Sequence, residues 1–229
     1  MTEDAMAGPH STDSLIASLG AALQPVRRLQ PPWMRVLGWL AAVAAIAVAL
    51  FAIFGAAPML RRWAGAPDLA WATLGGALTA IGAAWAAFTL AVPGRSRAWA
   101  WLPLPGALLW IGASGWGCFR TDFQHVIAPG TQIANVYQAS DCLVFIIGFS
   151  IPLSALMVWL LRRACPLRPV LTAVMLGLAS AAASACLLQV CHTYDTAAID
   201  LLAHALAVAV VIALNVALSG RLLSKAWDK

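Results

Sequence analysis

Apolar residues along this chain fall into six long blocks separated by short polar punctuation, with one shorter amphipathic stretch ahead of them. The blocks run roughly over 36–57, 69–92, 98–118, 140–161, 168–190 and 198–219. A helix that crosses the hydrocarbon core of a bilayer needs about 20 apolar residues. Only a helix satisfies its own backbone polar groups there without closing into a barrel. The pattern therefore predicts an all-α polytopic membrane protein, a bundle of six transmembrane helices over 36–229 ending in a short tail. The first block begins late and has spanning length, so no cleavable signal peptide is expected.

Residues 1–35 read differently. Ser11, Thr12 or Asp13 can cap a helix start, and Leu15, Ile16, Leu19 and Leu23 then recur at helical spacing as one narrow apolar stripe. Pro25 is expected to stop this helix, and Pro31-Pro32 to stiffen the approach to the first span. A helix of about three turns is marginal alone in water. Its stripe must find a cover, which makes 1–35 a partner-binding segment.

Within the spans, Gly75, Thr79, Ala83 and Ala87 repeat every four residues in the second, as do Ala173, Gly177, Ala181 and Ala185 in the fifth. Small residues so spaced let helices approach closely. Leu102-Pro103-Leu104-Pro105-Gly106 opens the third span and Pro152 interrupts the fourth, so both are expected to bend. Tryptophans near span ends, among them Trp33, Trp63, Trp99, Trp116 and Trp227, match interfacial belts.

Composition agrees: 62% of residues are hydrophobic, 10% are charged and mean hydropathy is +0.84. Soluble domains carry about 25% charged residues. In a soluble protein the net charge of +5 would point toward nucleic acid. Here topology explains it. Arg27, Arg28, Arg35, Arg95, Arg97, Arg162, Arg163, Arg168, Arg221, Lys225 and Lys229 fall on one side of a six-span arrangement, and only Arg61, Arg62 and Arg120 on the other. Eleven against three places both termini in the cytoplasm by the positive-inside rule.

Candidate chemistry gathers at the outer rim. Cys118 ends span three, Asp141 and Cys142 open span four, and Cys191-His192 end span five, with Asp195 just beyond. Asp200 and His204 lie four apart on span six, and His125 sits in the longest outer connection. Cys142 lies 21 residues before Arg163, and Cys191 lies 23 after Arg168. At 1.5 Å per residue both sit about 30–35 Å from the inner turn, so their sulfurs share a depth. A disulfide would require the two helix ends to converge; two thiols would also suit a soft metal ion. Cys186 reads as an apolar filler, and Cys165 as a reduced bystander.

A resemblance covers nearly the whole chain. It is carried by Thr12-Asp13-Ser14-Leu15-Ile16 with Leu19, by Pro25-Val26-Arg27-Arg28-Leu29, Pro31-Pro32-Trp33 and Leu90 to Arg97. It continues in Trp101-Leu102-Pro103, Gly117-Cys118, Cys142 to Phe145, Leu160 to Arg163, Pro166 to Pro169, and Cys191-His192. In this order the chain resembles the NrsF-like family of bacterial inner-membrane proteins, negative regulators of a SigF-type extracytoplasmic-function sigma factor. The resemblance implies a membrane anti-sigma factor and no enzyme. A short cytoplasmic N-terminal segment would hold the sigma factor, with Arg27 and Arg28 assisting the leucine stripe. Two outer cysteines, by position Cys142 and Cys191, would sense oxidants or metal, with Cys118 and His192 beside them. Cys165 departs from the expected small residue.

Under this reading the partners are the sigma factor and the bilayer, with no direct nucleic-acid contact. The only cofactor would be a transient metal ion at the outer cysteines. Two rival functions compete. A quinone-linked thiol oxidoreductase needs a reactive CxxC, which the chain lacks. A small transporter using Asp200 and His204 would show inverted repeats and mid-membrane polar groups, and neither stands out. A third reading lays the N-terminal helix on the inner leaflet, against which stand its few basic residues before Val26.

Overall fold

The computed structural model describes residues 12–23, 29–127, 136–164, 166–191 and 198–224. All of their regular structure is helical. A short helix, α1 (Thr12–Ala21), precedes α2 (Pro32–Phe54), α3 (Ala57–Gly65), α4 (Pro67–Leu90), α5 (Leu104–Ile127), α6 (Val136–Leu161), α7 (Pro169–Cys191) and α8 (Ala198–Ser224). Five of these helices contain stretches long and apolar enough to cross a membrane: Pro32–Phe54, Pro67–Leu90, Ser140–Leu161, Pro169–Cys191 and Leu201–Leu218. The chain is a membrane protein. Helix α5 has spanning length, but its glycines and Arg120 leave it less apolar than the others.

Helices α4 and α7 form the buried centre and pack on each other. Helix α5 lies against α4, α8 against α7 and α6, and α2 crosses α4, α7 and α6 at the periphery. The small-residue repeats explain the centre. Ala83, Ala87 and Ala181 are fully buried, and the glycines sit where backbones meet. A Cβ on Gly106 would stand 2.6 Å from the Thr79 backbone nitrogen, and one on Gly177 would stand 2.8 Å from Ile212 Cα. Gly75 is likewise pressed against the Trp110 backbone. Without side chains at these points, dispersion contacts between backbones supply the association that hydrophobicity cannot supply in lipid.

The basic turns converge at one end of the bundle. There Arg168 Nη1 donates to the Arg95 carbonyl at 3.5 Å, tying the turn after α6 to the turn after α4. Arg35, in the first turn of α2, is buried rather than displayed at the rim. Its Nη2 donates to Phe88 O at 3.4 Å, and the guanidinium lies 5.3 Å over the Phe88 ring. The acceptor belongs to the last turn of α4, where carbonyls carry the negative end of the helix dipole. Trp39, one turn further along α2, donates from Nε1 to Leu153 O at 3.3 Å, just past Pro152 in α6.

Four boundaries stand apart from the sequence reading. The third span does not start at 98: a 3-10 turn, Arg97–Trp101, ends at Leu102-Pro103, and α5 starts afresh at Leu104. Pro105 fits its first turn, where a missing N–H costs nothing. Helix α5 then continues past 118 because Arg120 meets a carboxylate, Asp68, across the bundle. The connection over 58–68 is no open loop but contains α3, capped by the Ala66 N–H donating to Arg62 O at 2.8 Å. Helix α1 stops at Ala21 rather than at Pro25, closing in a turn where Leu23 N donates to Gly20 O at 3.3 Å.

Candidate functional site

Two places hold part of the residue set singled out from the sequence, one end of the bundle and helix α1, which precedes α2. The first is the far end of α6 and α7. Cys142 is 5% exposed in a small apolar cluster with Ile146, Ala185, Leu188 and Ala207, and Cys191 packs against the same cluster. The packing of α6 on α7 thus brings these two thiols to one patch. The Cys191 thiol donates to Leu188 O at 3.4 Å, one turn back on its own helix. Arg62 of α3 lies within electrostatic reach of that sulfur, and α3 packs on α7.

Cys118, on α5, is half-buried and not part of that cluster. Cys186 faces the other way: its thiol donates to Thr73 O at 3.6 Å and rests against Gly76 of α4. Cys118, Cys142, Cys186 and Cys191 all stand as thiols. Among the described residues, no three His, Cys, Asp or Glu side chains gather as a metal site. His192, Asp195 and Cys165, and the side chains of His125 and Asp200, lie outside the described residues.

Sequence reasoning missed the ion pair that frames this end. Arg120 Nε donates to Asp68 Oδ1 at 3.1 Å and Nη2 to Oδ2 at 3.3 Å. The Asp68 side chain is 7% exposed and that of Arg120 25%. Gly117 makes room for it, since a side chain there would strike the Asp68 carboxylate. The two residues are 52 positions apart. The available signal was a lone acid opening one span and a lone base closing its antiparallel neighbour.

The second site is α1. None of its residues is buried, and Leu15, Ile16 and Leu19 are 56%, 63% and 60% exposed, with Leu23 beyond the helix at 80%. Among the described residues the stripe read from the sequence has no cover. Ser18 Oγ donates to Leu15 O at 2.9 Å within the helix. Arg27 and Arg28 lie outside the described residues. Pro31 precedes α2 in extended conformation, and Arg35 anchors that helix to α4 one turn later.

No curated protein and no solved structure matches the chain. A family model does match it, over residues 19–225, and so the chain belongs to the NrsF family, described as negative regulator of sigma F.

Proposed function

We propose that this protein is a membrane anti-sigma factor that binds an extracytoplasmic-function sigma factor of the SigF type through α1. The carrying observation is the uncovered stripe of Leu15, Ile16 and Leu19 on a helix that buries none of its residues, continued by the exposed Leu23 just beyond it. A ten-residue helix does not hold itself together in water. Docking its apolar face in a groove supplies the missing stabilisation, and the family name supplies the class of partner. The excess of arginine at the α1 end of the bundle supports a cytoplasmic N-terminus in the inner membrane.

The thiols at the opposite end are the proposed sensor. A peroxide-class oxidant would take two electrons and two protons from Cys142 and Cys191, forming one S–S bond and leaving water. A thiophilic metal ion would instead displace both thiol protons. Either event draws α6 and α7 together at one end and favours a second state of the bundle. The contact of α7 with α4, and the Arg35 link from α4 to α2, offer a route to the docking helix.

The test expresses full-length protein with its sigma factor and follows sigma in the membrane fraction together with transcription from a sigma-dependent promoter. Leu15→Asp with Leu19→Asp should release sigma and raise transcription without added stress. Retained membrane sigma in that variant refutes the docking reading. The sensing reading fails separately, if Cys142→Ser with Cys191→Ser still responds to peroxide and to thiophilic metal.

A further inference from the structure

Between α5 and α8, over a floor formed by α4 and α7, lies a cavity of about 290 Å³. Its walls are mostly apolar, with Thr79, Ser114, Gln189 and His204 as the polar groups and Trp110 as an aromatic wall. The Thr79 hydroxyl is already used, donating to Gly75 O at 2.7 Å. The Gln189 amide oxygen is not. It is buried and accepts a hydrogen bond from no described residue. The one thiol nearby, Cys186, donates elsewhere, to Thr73 O.

A buried acceptor lacking a donor is uncommon in folded proteins, and of the eight buried side-chain polar atoms without a partner among the described residues, only the Gln189 oxygen belongs to a residue that lines this cavity. Water alone fits poorly, since the walls are mostly apolar and water held at the polar groups would leave the rest of the volume without partners. The mouth indicates where a partner comes from. Ile111 on α5 and Ala205 on α8 line the cavity and are exposed, and Leu108 and Leu202 are exposed on the same two helices. In a membrane-spanning bundle such a surface meets hydrocarbon, so the ligand arrives dissolved in the bilayer.

We propose that this cavity binds a bilayer-soluble phenol or hydroquinone, its hydroxyl donating to the Gln189 amide oxygen and its ring lying against Trp110. A ring hydroxyl combines the donor that the Gln189 oxygen lacks with what the walls favour, a flat apolar body. The volume stands at the lower edge of small-molecule sites, roughly 300–1,000 Å³. It admits a single ring with short substituents, and a longer tail must leave between α5 and α8. This assignment is independent of the sigma-factor reading.

Equilibrium dialysis tests it on the full-length protein in phosphatidylcholine nanodiscs, with empty nanodiscs subtracting simple partition into lipid. The probes are 4-ethylphenol and its methyl ether, 4-ethylanisole, which keeps the ring and loses the donor. The wild type should bind the phenol saturably and about tenfold tighter than the ether, the discrimination expected for one hydrogen bond to a buried acceptor. Gln189→Leu should bring the two affinities together while the ether still binds; Gln189→Met repeats the measurement should the leucine variant fail to insert. Val208→Phe, which fills the cavity, should abolish both. Equal binding of phenol and ether by the wild type, or no saturable binding of either, overturns the proposal. So does a phenol preference that survives Gln189→Leu.

Discussion

Replacing Leu19 with Gln tests most directly whether the stripe on α1 is a docking face. Leu19 is 60% exposed, so docking has about that share of its burial energy to gain. Full burial of a leucine side chain is worth about 1.5–3 kcal/mol, which leaves about 1–2 kcal/mol for the interface. At 1.4 kcal/mol per decade, Leu19→Gln should weaken sigma binding roughly 5- to 30-fold. Leu15→Gln with Leu19→Gln should weaken it roughly 30-fold or more, short of strict additivity because the two sites lie one turn apart. Leucine and glutamine have nearly equal helix propensity, so the helix itself is spared. Ala17→Gln and Ala21→Gln carry the same side chain on the opposite face and should change binding less than about twofold. The assay is titration of purified sigma factor onto full-length protein in nanodiscs, with membrane-fraction blots as the cellular counterpart. Equal losses from both faces would refute the groove geometry, and no loss from the leucine face would refute docking by α1 altogether.

Other changes probe the bundle and the proposed switch. Asp68→Asn leaves the mostly buried Arg120 guanidinium without its carboxylate and should cost about 1–3 kcal/mol in thermal unfolding; Asp68→Asn with Arg120→Gln should recover part of that. Gly106→Ala forces a methyl group to 2.6 Å from the Thr79 backbone and should cost about 1–3 kcal/mol, whereas Gly112→Ala, on the same helix in open space, should be neutral or mildly stabilising. Cys142→Ser and Cys191→Ser should each keep repression and lose induction in a reporter strain, because either serine removes one half of the thiol pair. Arg35→Leu exchanges a buried guanidinium, whose Nε and Nη1 have no hydrogen-bond partner among the described residues, for an apolar side chain. It should leave thermal stability within about 1 kcal/mol yet blunt induction, and an undiminished response would remove Arg35 from the route.

What the sequence made legible is what the bilayer dictates. Block length, terminal arginines and small residues every fourth position each answer a requirement of lipid, and each reappears as a helix, a basic end or a backbone contact. The stripe on α1 was legible for the opposite reason: no described residue buries it. What escaped the sequence depends on pairs. The run from Ala57 to Gly65 reads as a polar connection until it lies on α4 and α7, where Met59 becomes buried. Arg35 was counted among the rim charges, yet the last turn of α4 gives it an interior acceptor. Gln189 and His204 sit on different helices, and only packing against α4 and α5 turns them into one cavity.

The route between the two proposed sites rests on the same close contacts. A helix interface built from glycine and alanine has few long side chains to reorient and absorb a displacement, and protein interiors transmit strain because they are close-packed. Cys191 ends α7 at one extreme of the bundle, and Ala179, Ala182 and Ala183 carry that helix into one buried core with Ala83, Ala86 and Ala87 of α4. The last turn of α4 then holds Arg35, four residues after the Pro31 that precedes α2. In the proposed switch, a pull on Cys191 is therefore a displacement of α4 before it is a rearrangement of any side chain. The proposed docking helix, α1, precedes α2, the helix that Arg35 ties to α4.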